Sequence, residues 1–361
     1  MILKPRFQYV ALVVLAVSCS MGRAQAADAK APDAAADDYR TNPKFVEAMK
    51  EGKDLERKRE PVFAIDDYKK ANKIAGGRCA DCLTDLFHVQ MSTGSYKDAL
   101  ATATALEAVE ATPAAKSQAA VDRGRALLQE AGDKPKPAHL EAMHAAFQDA
   151  LTLYPKNVNA LFLDGKVLAM LGKTDEARAD FEKCLSCIGP TDPARLRAEH
   201  FAENPELATH KMAPTFEVTA LDGSKFNLDA MGGKVVLIDF WATWCGPCNA
   251  ELPHMRKIAK EFAGEPLVII SVSWDSDADK WKAFLEKNEM TWVQYRDSDH
   301  KLSDAFGVEA IPHYFTIDSD GVLTAEMMGS GSDVEGKLKK LIAKARQAQA
   351  TQAGKVAAAG N

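Results

Sequence analysis

Beyond the first thirty residues, no stretch approaches the 18 or more consecutive apolar residues that a membrane-crossing helix requires, which excludes a polytopic membrane protein. Basic residues are not in excess: 45 Lys and Arg stand against 51 Asp and Glu, a formal charge of -6, and aromatics are only 7%. Without a basic field to draw phosphates, nucleic acid is not an expected partner. Cysteines are few, seven in 361 residues, and neither Cys79-Ala-Asp-Cys82 nor Cys184-Leu-Ser-Cys187 is followed by histidine, so covalent haem attachment lacks its ligand. What is present is ordinary for a folding chain: 47% hydrophobic and 27% charged residues, in a length that suggests two domains plus extensions.

Lys4 and Arg6 precede an apolar run from Val10 to Val17, then small residues and Ala24-Gln25-Ala26. That order predicts a cleavable signal peptide over residues 1–26 and a periplasmic or secreted, oxidising destination. A lipid anchor at Cys19 is the rival reading, but Ala16 stands where a lipobox needs a larger aliphatic residue, so ordinary cleavage is preferred. Residues 27–40 are small, acidic and aperiodic and read as a flexible linker; residues 346–361, rich in Ala, Gln and Gly, read as a disordered tail.

Between residues 41 and 190 the sequence repeats with a period near 34. Phe147 and Ala150 recur as Phe181 and Cys184, Tyr68 and Ala71 hold the same spacing, and the turns at Gly94 and Gly172 each lie five residues before an alanine. Small residues at helical spacing let antiparallel helices approach closely, while an aromatic seals each pair against the next. This region resembles the tetratricopeptide repeat family in about four repeats, with Ala103 in place of an aromatic and a stretch at Asp133-Lys134-Pro135-Lys136-Pro137 as departures. The resemblance implies a curved helical stack whose concave surface binds a protein partner. A plain helical spacer or dimerisation unit is the competing reading.

A polar linker over 191–210 leads into residues 211–345, where Val235 to Phe240 and Leu267 to Val272 are continuous apolar runs, as strands covered on both faces should be. Amphipathic segments from Glu251 to Phe262, Lys280 to Asn288 and Val334 to Ala345 alternate with them, and Asp222-Gly223 and Asp320-Gly321 read as hairpin turns. The expected class is an α/β domain preceded by an all-α repeat domain.

The sharpest chemical signal is Trp244-Cys245-Gly246-Pro247-Cys248, placed after a buried strand and opening a helix. Cysteines three apart on a helical turn lie within the separation a disulfide accepts, so the pair can open and close. At a helix N-terminus, unpaired N–H groups and the macrodipole favour an anion and lower the Cys245 thiol from about 8.5 toward about 7. The thiolate fraction at neutral pH then rises from about 3% to about half, as attack on a disulfide requires. For Cys79/Cys82 and Cys184/Cys187, local disulfides pinning helix ends are preferred over a redox relay to Cys245 and over metal binding, for which a stack touching only nearest neighbours keeps the two pairs apart.

From about Lys211 to Gly329 the chain resembles the thioredoxin superfamily, in particular its exported TlpA/ResA-like branch. Ala213-Pro214-Thr-Phe216, Leu221-Asp222-Gly223, Gly233-Lys234, Trp-Cys-Gly-Pro-Cys, Glu251-Leu-Pro253, Ile311-Pro312 and Phe315-Thr-Ile-Asp318 come in that branch's order. The resemblance implies a central mixed sheet flanked by helices, and a cis Ile311-Pro312 bond facing the cysteines. It assigns Cys245 to attack and Cys248 to resolution, and places Trp244, Gly246, Pro247, Ile311 and Pro312 against an extended substrate. Two carboxylates stand as proton acceptors: Asp239, at the position of thioredoxin's buried acid, and Glu251, at the branch's own acid position. Carrying both is a departure, and so is His313, which follows Pro312 where the branch often has threonine.

The expected function is an exported thiol:disulfide oxidoreductase that works on protein substrates with an upstream thiol donor and no cofactor or metal, its repeat domain recruiting a partner. A thiol peroxidase and a non-catalytic scaffold are the alternatives. The first lacks the Thr-x-x-Cys context of a peroxidatic cysteine, and intact Cys245 and Cys248 oppose the second.

Overall fold

The computed structural model describes residues 38–192 and 194–359, so the segment expected as a signal peptide and residues 27–37 of the expected linker lie outside the described residues. The chain divides into two compact units between Thr209 and His210. Among the described residues no helix is long and apolar enough to cross a membrane.

Among the described residues the first unit is all helical. Eight helices run as α1 (Pro43–Arg57), α2 (Pro61–Ile74), α3 (Ala80–Ser92), α4 (Tyr96–Val109), α5 (Pro113–Ala131), α6 (Pro137–Leu153), α7 (Val158–Met170) and α8 (Thr174–Cys187), each packed on the next. Proline at the first position of α1, α2, α5 and α6 starts the helix where its missing N–H costs nothing. The aromatic residues that carry the repeat, Tyr68, Phe147 and Phe181, are fully buried. Each ring lies on a glycine of the preceding helix: Gly52 under Tyr68, Gly124 under Phe147 and Gly165 under Phe181. A methyl group on Gly52 or Gly165 would sit 2.8 Å from a ring carbon, so the absence of a side chain sets how closely the helices approach. A buried polar string ties three helices together: Asn157, the N-cap of α7, donates to Ser117 Oγ of α5 at 2.8 Å, which donates to the Ala150 carbonyl of α6 at 2.7 Å.

The segment expected as a linker over 191–210 is folded. Helix α9 (Ala194–Glu203) and a 3₁₀ turn (Pro205–Thr209) close the stack against α7 and α8. Ala194, Ala198, Phe201 and Ala202 form its buried stripe, and the Phe201 ring stacks on Phe162 at 5.5 Å and meets Phe181 at 5.3 Å. The helix carries five Arg, Glu and His residues, Arg197 buried among them, and these give the segment its polar average, which hid the i, i+4, i+7, i+8 pattern.

The second unit is a thioredoxin-like α/β fold. A hairpin of β1 (Glu217–Thr219) and β2 (Lys225–Asn227) precedes a five-stranded sheet ordered β5-β4-β3-β6-β7. Its strands are β3 (Val235–Trp241), β4 (Leu267–Ser273), β5 (Val293–Arg296), β6 (His313–Ile317) and β7 (Leu323–Met328). β3, β4 and β5 run parallel, β6 is antiparallel to β3, and β7 is antiparallel to β6. Every residue of the central β3 is buried, which is why it reads as an unbroken apolar run. Helices α10 (Gly246–Glu261) and α13 (Val334–Ala359) cover the face carrying Val235, Leu237 and Tyr314. Helix α12 (Lys301–Phe306) covers the face carrying Val236, Ile238, Phe240 and Phe315, and α11 (Ala278–Lys287) packs Trp281 and Leu285 against Trp241.

Helix α13 continues past Ala345 through the segment expected as a disordered tail. Arg346 pairs with Glu265, and Gln349 Nε2 donates to the Gly233 carbonyl at 2.8 Å. Ala, Gln and Lys are strong helix formers, so low sequence complexity here extends a helix already nucleated by packing.

Candidate active site

Cys245 caps the N-terminus of α10 from an extended backbone conformation, φ -84° and ψ 106°. That conformation swings its sulfur over the first turn, where Sγ accepts the Cys248 N–H at 3.2 Å, and the two cysteines form a disulfide with Cα atoms 5.2 Å apart. Gly246 and Pro247 are exposed at the start of the helix, and Trp244 is 65% exposed beside the disulfide. The Ile311–Pro312 peptide bond is cis, and the Ile311 carbonyl lies 3.8 Å from Cys245 Sγ. Gly329 N–H donates to the Pro312 carbonyl at 2.9 Å, which brings Met328, 61% exposed, alongside the proline. The disulfide is thus flanked by open apolar surface and a backbone carbonyl.

The loop leading into Cys245 is held by residues the sequence did not single out. Asp275, buried just past the end of β4, accepts from Thr243 N–H at 2.9 Å and from Thr243 Oγ1 at 2.5 Å. Asn249 Nδ2 donates to the Thr243 carbonyl at 2.9 Å. These bonds fix the chain on both sides of the nucleophile, but Asp275 is 30 positions from Cys245, and only the parallel pairing of β3 with β4 brings them together.

Asp239 alternates with Val235 and Leu237 on the face of β3 that α10 covers, between Leu237 and Trp241. Burial pushes its carboxyl up to about 7; a hydrogen bond from Ser271 opposes the rise, and the charge of Glu251 adds to it. Glu251 lies in the second turn of α10. Its Oε1 accepts from Gly331 N–H at 2.8 Å, and its Oε2 is 3.3 Å from His254 Nδ1, whose Nε2 lies 3.6 Å from Glu335. His313 is buried on the opposite face, stacked on Phe315 at 4.6 Å with Nε2 3.1 Å from Glu326, and burial lowers its pKa. That face is turned away from α10, so His313 does not join the cysteines.

The two other cysteine pairs differ from each other. Cys79 caps α3 as Cys245 caps α10: its Sγ accepts from Cys82 N–H at 3.0 Å, the disulfide spans 5.2 Å between Cα atoms, and both residues are fully buried. Cys184 and Cys187 are not bonded, contrary to the expected second local disulfide. Both lie inside α8, where side chains three apart diverge to Cβ separations of about 5–6 Å, beyond the roughly 3.5–4.5 Å of a disulfide. The Cys184 thiol is pushed up to about 12 by burial and stands 3.7 Å from the Val158 carbonyl. An N-cap cysteine, rather than the three-residue spacing alone, is what closes the ring.

A reversible dithiol at a helix N-terminus, on a thioredoxin-like sheet and opposite a cis-proline, defines a thiol–disulfide oxidoreductase. A model of the AhpC/TSA family matches residues 209–326, all but the first of them in the sheet unit. Over 143 residues the chain is 32% identical to the thiol-disulfide oxidoreductase ResA of Bacillus thuringiensis (strain Al Hakam), a match covering 39% of this chain and 83% of that protein. It is 33% identical over 132 residues to the thioredoxin-like protein YneN of Bacillus subtilis (strain 168), covering 36% of this chain and 76% of the relative. Among solved structures, the thioredoxin domain of a thiol-disulfide oxidoreductase from Bacteroides vulgatus aligns with a TM-score of 0.34 at 26% identity, covering 37% of this chain and 96% of that one. The chain belongs to the ResA family of thiol–disulfide oxidoreductases.

Proposed function

We propose that this is an exported enzyme that exchanges disulfides with protein clients through Cys245 and Cys248, and that its helical unit recruits a protein partner. The observation that carries the reading is the sulfur of Cys245 set over the first N–H groups of α10, where negative charge is stabilised. In the reducing direction that Gly246-Pro247 implies by resemblance, the Cys245 thiolate attacks one sulfur of a client disulfide. A mixed disulfide forms, and the other client sulfur leaves as a thiolate. Cys248 then gives up its proton and attacks Cys245 Sγ, the second client thiolate departs, and Cys245–Cys248 closes. Two electrons pass to the client, and an upstream dithiol restores them to the enzyme.

Asp239 is the acceptor of the Cys248 proton. It is supported by its place under α10 and by a carboxyl pushed up to about 7, whereas both oxygens of Glu251 already face donors at Gly331 and His254. Glu251 contributes its charge. Trp244, Gly246, Pro247 and the Ile311–Pro312 backbone contact the client, supported by the exposure of the first three and by the Ile311 carbonyl lying beside Cys245 Sγ. Export rests on Lys4, Arg6, the Val10–Val17 run and Ala24-Gln25-Ala26. Recruitment rests on the repeat pattern and on Val46, Val62 and Phe63, large apolar side chains left exposed on α1 and α2.

A Cys248→Ser variant cannot resolve the mixed disulfide, so clients are expected to accumulate on Cys245 in the native host and to appear by mass spectrometry after non-reducing isolation. Recovery of no Cys245-linked protein would overturn the reading. The AhpC/TSA match favours a second reading, a thiol peroxidase. Peroxide consumption far faster than by free thiol would establish it, and a rate no faster would remove it.

The Cys79–Cys82 disulfide is structural in this reading, supported by its burial and by Asn72 Oδ1 accepting from Cys79 N–H at 3.2 Å. Replacing both cysteines with serine should cost about 2 kcal/mol, the loop entropy of so small a ring. Urea unfolding of the helical unit would read this loss, while client turnover should be unchanged. A loss of turnover without loss of stability would instead assign the pair a redox role.

A further inference from the structure

Asp239 on β3 is paired in register with Ser271 on β4, which is paired with Gln294 on the edge strand β5. Ser271 is fully buried, and its Oγ donates to Asp239 Oδ2 at 2.9 Å. Trp292, two residues before Gln294 and outside the strand proper, donates its indole Nε1–H to the same Ser271 Oγ at 2.8 Å. An indole N–H can only donate. It therefore occupies a lone pair of the serine oxygen and leaves the hydroxyl proton a single productive direction, toward the carboxylate.

We infer that Ser271 and Trp292 are a positioning pair for the buried acid of this enzyme, a directional relay that holds one oxygen of Asp239 as a hydrogen-bonded acceptor and leaves the other to take the proton. The inference rests on the reading of Asp239 as proton acceptor. Trp292 locks the hydroxyl, the hydroxyl stabilises the ionised carboxylate, and burial opposes both. The balance keeps a fully buried acid able to ionise at neutral pH rather than remaining protonated. From α10 the groups facing Asp239 are the charge of Glu251 and, in the reduced protein on the reading above, the Cys248 thiol; from β6 the facing titratable group is Tyr314, whose phenol is kept protonated by burial and by these two acids. The apolar side chains of α13, Val334, Leu338 and Ile342, complete the enclosure. Because the relay joins residues 32 and 21 positions apart through strand register, no local motif reveals it.

The test is the carboxyl carbon-13 titration of Asp239 in the full-length reduced protein, together with the pH profile of disulfide exchange. Ser271→Ala should raise the Asp239 midpoint by about one unit or more, the worth of one hydrogen bond to a buried charge. Trp292→Phe should raise it by a smaller amount with Ser271 still in place, and Ser271→Thr, which keeps a hydroxyl, should restore it. Gln294→Leu serves as the control. Gln294 lies in the same row, but its amide has no partner there, so the midpoint should stay put. An unmoved midpoint in both Ser271→Ala and Trp292→Phe overturns the inference, and the tryptophan variant decides it alone if the serine variant fails to fold. If Asp239→Asn leaves the exchange profile unchanged while Ser271→Ala still moves the carbon-13 midpoint, the relay stands and the acceptor reading falls.

Discussion

Cys245→Ser is expected to abolish disulfide exchange, reducing dithiothreitol-coupled insulin reduction to the uncatalysed rate while leaving the fold intact. A serine hydroxyl can cap α10 as the cysteine does, so stability should barely change relative to the reduced protein, but it supplies no thiolate and cannot close a disulfide with Cys248. The loss should exceed that of any other single replacement, because nucleophile and electron carrier are the same atom. Cys248→Ser differs in kind: it keeps the nucleophile and should still form mixed disulfides, but turns over no client. Retained multiple turnover in Cys245→Ser would remove the assigned nucleophile.

Asp239→Asn is expected to make the protein more stable and less active at once. The carboxyl is pushed up to about 7 by burial, so the folded state holds its proton across a pH range in which the unfolded chain, with an ordinary Asp near 3.8, has already lost it. A raised acid of this kind is harmless below about pH 4, and its cost grows as pH rises from there to about 7, where it is complete. At pH 8 the neutral amide should therefore stabilise the sheet unit by about 3–4 kcal/mol, with little effect at pH 4. Urea denaturation at the two pH values measures the difference. Turnover should fall by about 10²-fold near neutrality, the low end for a lost general base, and lose the inflection near pH 7. Equal stabilisation at both pH values would mean that the gain comes from packing rather than from ionisation. A stabilising substitution that damages activity marks a group retained for its chemistry.

Much of this was legible in the sequence because the signals were local. The run from Val235 to Phe240 followed by Trp-Cys-Gly-Pro-Cys contains the strand, the turn and the helix start in fourteen residues, and the structure places them as β3 and α10. The repeat aromatics announced the helical pairs, although the glycines on which they rest, Gly52, Gly124 and Gly165, are visible only once the helices are paired. Composition misled in two places. The polar average of 191–210 concealed the buried stripe of α9, and the simplicity of the tail concealed the continuation of α13. Spacing misled in a third, since Cys184 and Cys187 share the separation of the other pairs but lie within a helix instead of capping one. Asp275, Ser271 and Trp292 could not have been found by any local pattern, because strand register alone brings them to the acid and to the loop before the nucleophile.

The account depends on the acidity of one sulfur. In reduced protein carrying Cys248→Ser, the rate of Cys245 alkylation by iodoacetamide should follow pH with a midpoint near 7, well below the value of about 8.5 for free cysteine. A midpoint at or above 8.5, with alkylation at pH 7 no faster than that of the free amino acid, would contradict it.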